Sequence, residues 1–101
     1  MKIDAETRAR YKAQAEIIKA LGHPTRLMIV DQLSSGERCV CELTEMAGLD
    51  MSTVSRHLSQ LKNAGIIVDD KRGVQVFYKL KIPCILNFFK CVESVQKASG
   101  C

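Results

Sequence analysis

The stretch at residues 51–65 (MSTVSRHLSQLKNAG) constrains the fold of this chain more than any other segment. On a helix of 3.6 residues per turn, Val54, Leu58 and Leu61 fall on one side. The opposite side has no acid and carries Ser52, Ser55, Arg56, Ser59 and Asn63. An ordinary solvated helix mixes Glu with Lys, whereas short hydrogen-bond donors with arginine suit the DNA major groove, because phosphates repel acids there. The stretch is therefore predicted to be a recognition helix.

The rest of the chain predicts a mainly α domain with a β-hairpin wing. The patterns predict, in order, helices at residues 5–21, 24–33, 42–47 and 51–65, strands at 66–68 and 74–80, and a last helix at 83–97. Ser52 is a good N-cap for the recognition helix, and Gly65 ends that helix. A helix, a three-residue turn with Gly48 and a second helix form a helix-turn-helix. The hairpin turn at 69–73 is basic and is expected at the tip of the wing.

The terminal helices predict a homodimer. The first helix is expected to turn four residues inward, namely Ala13, Ile17, Ile18 and Leu21. The second helix has an apolar stripe of Leu27, Val30 and Leu33. The apolar residues of the last helix alternate by three and four, as in a dimer seam, and are Ile85, Phe88, Val92 and Val95. We expect residues 1–101 to form a single winged helix-turn-helix DNA-binding domain with N- and C-terminal dimerisation helices.

Composition and charge restrict the class of protein. The chain has 15 Lys and Arg against 11 Asp and Glu, a net charge of +4 that is compatible with nucleic acid but not diagnostic of it. Its N-terminus is charged throughout, unlike a signal peptide, and no apolar run approaches the ~20 residues that span a bilayer. We expect a cytoplasmic protein without a membrane partner. In that reducing compartment, structural disulfides are not expected among the five cysteines.

Several motifs in the right order resemble the ArsR/SmtB family of homodimeric winged-helix repressors. They are HPTRL at residues 23–27, ERCVCEL at 37–43, SRHLSQLKNAG at 55–65 and VFYKL at 76–80. The resemblance covers about residues 10–95 and implies release from operator DNA by metal or metalloid ions. Within that family, Cys-Val-Cys before the helix-turn-helix marks the branch that responds to arsenite and antimonite. No organic cofactor is implied.

The chemistry of Cys39 and Cys41 fits a soft ion. As(III) and Sb(III) prefer thiolates to hard oxygen ligands. In an extended segment, residues i and i+2 point to the same side, whereas in a regular helix they lie about 200° apart. A helix N-terminus also favours the reactive thiolate. If Cys41 lies at the start of a helix, chelation must distort that turn, so DNA and ion would antagonise each other.

The number of ligands is open at the sequence level. Arsenite-responsive relatives often carry a third thiol three residues after the second, and this chain has Thr44 there, whose hydroxyl is a poor ligand for a soft ion. Either two thiolates hold the ion or another thiol completes the site, from this chain or its partner. The candidates are Cys84, Cys91 and Cys101, of which the first two are alternatively small packing residues.

The predicted DNA contacts lie on the recognition helix and the wing. They are Ser52, Thr53, Ser55, Arg56, His57, Gln60, Lys62, Lys71 and Arg72. For His57, packing and phosphate contact are equally open, whereas His23, before Pro24, is expected to cap or pack locally. Phe77 and Tyr78 are expected to pack in the strand.

Three other functions compete with metalloid sensing. A sensor of redox or sulfur species could use the same cysteines to release DNA. A small thiol enzyme is disfavoured because the chain lacks the βαβ context of a redox C-x-x-C motif. A winged helix that binds only proteins is disfavoured by the acid-free recognition face.

Overall fold

A computed structural model of the protein describes residues 2–98. Its elements, in order, are α1 (Ala5–Ala20), α2 (Pro24–Leu33), β1 (Arg38–Cys39), α3 (Val40–Ala47), α4 (Met51–Asn63), β2 (Ile67–Arg72), β3 (Gln75–Leu80) and α5 (Ile85–Ala98). This order confirms the predicted fold class, five helices with a β-hairpin wing, and adds the short strand β1. In the described part of the chain, no helix is long and apolar enough to cross a membrane.

Local caps fix the helix starts; one of them corrects a predicted cap residue, and another corrects a predicted start. The N-cap of α4 is Asp50 rather than Ser52, because the Asp50 carboxylate accepts from the Thr53 backbone N–H at 3.2 Å. Helix α3 begins at Val40 rather than at residue 42. Its N-cap is Cys39, whose Sγ accepts from the backbone N–H of Glu42, while the Glu42 carboxylate accepts from the backbone N–H of Cys39.

The wing belongs to a three-stranded antiparallel sheet of order β1-β3-β2. Strand β2 continues to Arg72, so the turn is much shorter than the predicted 69–73 and is centred on Gly73 and Val74. Gly73 adopts a left-handed backbone with φ +62°, which favours glycine. The side chains at 69–72 therefore lie along a paired strand instead of in a loop.

The core lies beneath the recognition helix. Val54, Leu58 and Leu61 are fully buried, as predicted from the helical period. They pack with Leu43 of α3 and with residues of α2 and of the segment entering the wing, namely Ile29, Val30, Leu33, Ile66 and Ile67. This packing presents the polar side of α4 outward.

The terminal helices depart from the predicted burial. In α1, Ile17 and Ile18 are 40% and 54% exposed and Ala13 is also exposed, so only the end of the helix, around Leu21, reaches the core. In α2, Leu27 is exposed. No residue of α5 is buried, and its most exposed apolar residues are Phe88, Val92 and Val95. A helical period marks an apolar face but does not identify what covers it.

Candidate DNA interface and thiol site

The N-terminal turn of α4 presents its hydroxyls in a fixed orientation. Ser52 and Thr53 both donate their hydroxyl hydrogens to Asp50, in the case of Thr53 at 2.6 Å. These bonds hold the pKa of Asp50 well below its usual range, because they favour the carboxylate. With their hydrogens engaged, the two hydroxyls can act only as hydrogen-bond acceptors, which is what amino groups on base edges require as partners.

The middle of the exposed face of α4 carries side chains that no acid neutralises. Ser55, Arg56 and Gln60 are exposed. Among residues 2–98, Arg56 forms no ion pair. A guanidinium without a carboxylate partner is available to DNA phosphates or to guanine.

Two predicted phosphate contacts are instead paired with acids. Lys62 lies 3.0 Å from the Asp69 carboxylate. Arg72 forms a bidentate pair with Glu37, at 2.7 and 2.8 Å, and its Nε donates to Asp70 at 2.9 Å. These pairs raise the pKa of Arg72 above its usual value and lower that of Glu37.

The wing therefore offers fewer free charges than its sequence implies. The Arg72 guanidinium also lies over the Phe77 ring, 4.5 Å from its centroid. Of the two basic residues predicted at the tip, only Lys71 has no ion-pair partner within the described residues. The Glu37 pair spans 35 residues of sequence, so no local pattern could have indicated it.

His57, a residue of α4, is half-buried against the start of α2. His23 caps α2 by accepting from the backbone N–H of Thr25 at 3.1 Å, which confirms its expected capping role. The His23 and His57 rings have centroids 4.3 Å apart, and Arg26 Nη1 lies 3.3 Å from His57 Nδ1. Burial lowers the pKa of His57, and the nearby His23 and Arg26 lower it further.

Cys39 and Cys41 are brought together at the start of α3. Their Cα atoms are 5.4 Å apart and their sulfurs are joined as a disulfide, which corrects the expectation that the cysteines would not pair. The pairing is possible because Cys39 is the extended N-cap, so the 200° separation of a regular helix does not apply. Cys39 is buried, whereas Cys41 is exposed.

Within residues 2–98, no third thiol ligand lies beside this pair. Thr44 donates its hydroxyl to the Val40 carbonyl at 2.7 Å and so faces its own helix. Cys84 and Cys91 are free and exposed, and Cys101 lies outside the described residues. Among residues 2–98, no three side chains of His, Cys, Asp or Glu cluster as a metal site would require.

Strand β1 links the thiol pair to the wing, and sequence reasoning missed this link. Cys39 pairs with Phe77 of β3, and Arg38 pairs with Tyr78. The same Cys39 caps α3, which packs on α4. Cys39 is thus connected to the recognition helix through α3 and to the wing through strand pairing.

Together, the helix-turn-helix, its outward polar face and the wing define a winged-helix DNA-binding transcriptional regulator. A family model described as bacterial regulatory protein, arsR family, matches residues 23–68. An uncharacterized HTH-type transcriptional regulator of Methanocaldococcus jannaschii is 38% identical over 87 residues, which are 85% of this chain and 98% of the relative. The chain belongs to the ArsR family, which confirms the resemblance seen in its motifs and the expectation of a regulator rather than an enzyme.

Two further comparisons bear on fold and function. The arsenical resistance operon repressor of Staphylococcus xylosus is 37% identical over 70 residues, 69% of this chain and 67% of the relative. The homodimeric winged helix-turn-helix domain of a possible ArsR-family regulator from Mycobacterium bovis superposes with a TM-score of 0.81 at 27% identity, covering 96% of this chain and 90% of that one. Matches to several other relatives span about half of their length.

Proposed function

We propose that this protein is a transcriptional repressor that senses As(III) or Sb(III). It binds operator DNA as a homodimer in the cytoplasm, and it leaves the DNA when the metalloid binds Cys39 and Cys41. The observation that carries the proposal is the adjacency of these two sulfurs at the start of α3, the helix that packs on the recognition helix. The Staphylococcus xylosus relative, an arsenical resistance operon repressor, adds support.

The two thiols suit stepwise capture of a soft trivalent ion. Cellular thiols must first reduce the disulfide. The exposed Cys41 thiol is then accessible to the ion first, and the buried Cys39 thiol closes the chelate; each As–S bond replaces an As–OH group, which leaves as water with the thiol proton. Two thiolates satisfy the soft-ligand preference of As(III), and a third position is left for water or for a thiol of the partner chain. Cys84, Cys91 and Cys101 are the candidates for such a thiol.

Release follows from what Cys39 does when no ion is bound. Its sulfur accepts from the backbone N–H of Glu42 at 3.3 Å, so a bound ion competes for the sulfur that caps α3. The cap positions α3 against α4, and β1 ties the same residue to Phe77 of the wing. Ion binding thus disfavours the DNA-competent arrangement, and by linkage bound DNA weakens ion binding by the same factor.

DNA recognition falls to α4 and the wing of each protomer. The proposed contacts are Ser52, Thr53, Ser55, Arg56, His57, Gln60, Lys62, Lys71 and Arg72. The exposed apolar faces of α1 and α5 are proposed to pair two protomers. The Mycobacterium bovis relative, which is homodimeric, adds support for a dimer. Such a dimer reads an inverted repeat with one half-site per protomer.

Equilibrium dialysis of the reduced protein against arsenite tests the site. We expect binding in wild type and in Cys84→Ser/Cys91→Ser, and loss of binding in Cys39→Ser and in Cys41→Ser. Serine is a preferred N-cap residue, so Cys39→Ser removes the sulfur while keeping the cap of α3. Loss of binding in the α5 double variant alone would move the site to α5 and refute the proposal.

A second candidate function, thiol redox sensing, is favoured by the Cys39–Cys41 disulfide. Peroxide would oxidise the two thiols to that disulfide while being reduced to two waters, the thiols supplying two protons and two electrons. In this case peroxide releases DNA from wild type but not from Cys39→Ser, and arsenite at saturating occupancy releases no DNA from either protein. Release of DNA from wild type by arsenite but not by peroxide supports metalloid sensing.

A further inference from the structure

A cavity of about 310 Å³ lies beside the recognition helix, at its junction with α2. Its lining residues are Arg26, Thr53, Arg56, His57 and Gln60. Every lining side chain is a cation or a hydrogen-bonding group, and none is a carboxylate. Arg26 comes from α2, outside both the recognition helix and the wing.

Arg26 is held in place but not neutralised. Its Nε donates to the Ala20 carbonyl at 2.6 Å, and its Nη1 lies 3.3 Å from His57 Nδ1. Arginine has only donors, so this ring nitrogen must accept and neutral His57 carries its proton on Nε2. Within residues 2–98, Arg26 forms no ion pair. Its remaining N–H groups are free to bind an anion in the cavity.

The contrast with two acid-paired cations nearby in the predicted interface makes this arrangement informative. Lys62 and Arg72 are paired with acids, whereas Arg26 and Arg56 are not. An anion binds a guanidinium at a lower cost in free energy when it does not have to displace a carboxylate. A bidentate contact between guanidinium and phosphate is also among the stronger hydrogen-bonded contacts in proteins. The cavity also adjoins the start of α2, where the helix dipole favours negative charge.

We propose that this cavity binds one backbone phosphate of the operator DNA, held by Arg26, Arg56 and His57. The inference rests on the DNA-binding part of the proposed function and assigns Arg26 of α2 to the interface. The phosphate fixes the distance between α2 and the DNA backbone while α4 lies in the major groove. Contacts of this kind set the register of the protein on the duplex and carry no base specificity.

The test measures the salt dependence of DNA binding by fluorescence anisotropy. The probe is a labelled duplex carrying the promoter of the protein's own gene. For Arg26→Gln we expect roughly tenfold weaker binding and a slope of log K against log salt that is shallower by about 0.9 per protomer. Arg8→Gln is the matched control, because Arg8 is exposed on α1 and lines none of the described cavities. An unchanged slope in Arg26→Gln overturns the proposal.

Two further variants cover the case in which Arg26→Gln fails to fold. Arg26→Lys keeps the charge, so it retains the slope while losing the forked contact and part of the affinity. His57→Ala removes the ring that accepts from Arg26 and lines the cavity, so it should weaken duplex binding, and binding by that variant as tight as by wild type overturns the proposal. Thermal unfolding of each variant shows whether it is folded.

A last measurement separates DNA phosphate from a free anion. If Arg26→Gln binds the duplex as wild type does but loses thermal stabilisation by inorganic phosphate, the cavity is a small-anion site and the proposal is wrong. Failure of wild type itself to bind any promoter duplex contradicts the proposed function instead. The two failures are therefore distinguishable.

Discussion

The bidentate pair between Glu37 and Arg72 predicts that one acid limits the affinity of the wing for DNA. Glu37 precedes β1, and its carboxylate holds both terminal nitrogens of Arg72 at 2.7 and 2.8 Å. Glu37→Gln keeps the size of this side chain but removes its charge. The variant should therefore free Arg72 for phosphate and tighten DNA binding, most of all at low salt.

The magnitude follows from counterion release. Each phosphate neutralised adds about 0.9 to the slope of log K against log salt. Raising the salt concentration fourfold, from 50 to 200 mM, weakens DNA binding by every DNA-binding variant. One extra phosphate contact makes this loss of affinity about 3.5 times larger than in wild type, and two extra contacts, one per protomer, make it about 12 times larger. In Glu37→Gln, Asp70 still accepts from Arg72 Nε at 2.9 Å, so the change in salt dependence should be smaller than these factors. In Glu37→Gln/Asp70→Asn, the change should approach them.

Anisotropy with the labelled promoter duplex, measured at four salt concentrations, provides the test. Glu45→Gln is the matched control, because Glu45 is exposed on α3 and has no ion-pair partner among the described residues. A gain in Glu45→Gln equal to that in Glu37→Gln would reflect overall charge rather than release of Arg72. Equal slopes in wild type and in the double variant would refute the reasoning, because Arg72 would then not face the DNA backbone.

Two other predictions concern the recognition helix. Asp50→Asn should lower the midpoint of thermal unfolding at pH 7, and by progressively less as the pH falls below about 4, measured by circular dichroism. The folded pKa of Asp50 is depressed, so its contribution is full above the unfolded pKa and is lost only as the pH falls through the folded pKa; an effect of the substitution that grows as the pH falls below about 4 would contradict this sign. Leu58→Ala should destabilise the domain by about 2–5 kcal/mol in urea unfolding, because Leu58 is fully buried. The exposed Met51→Ala is the control, and a loss as large in that variant would show that the core is not where the structure places it.

Local patterns predicted the parts of this molecule that depend on nearby residues. The 3.6-residue period of Val54, Leu58 and Leu61 correctly placed the buried side of α4, since helix geometry alone sets that spacing. The choice of N-cap was wrong because Asp50 and Ser52 are both good caps. Only the structure shows that the Asp50 carboxylate accepts from the backbone and from two hydroxyls at once.

Long-range pairings were beyond sequence reasoning. Strand β1 has two residues and exists because Arg38 and Cys39 pair with β3, nearly 40 positions away. The acid that holds both terminal nitrogens of Arg72 is Glu37, which lies 35 positions away in the segment before β1. Likewise, α1 carries an apolar face at Ile17 and Ile18. The spacing of its apolar residues does not show whether that face packs on the core of the same chain or on a second protomer.

The most direct test of the account measures arsenite-driven release of the labelled promoter duplex. Reduced wild type, Cys39→Ser/Cys41→Ser and Cys84→Ser/Cys91→Ser are compared by anisotropy at the same fractional saturation with DNA. We expect arsenite to release DNA from wild type and from the α5 variant, and to leave the Cys39→Ser/Cys41→Ser complex intact. Release from that complex at the same arsenite concentration as from wild type would contradict the central claim.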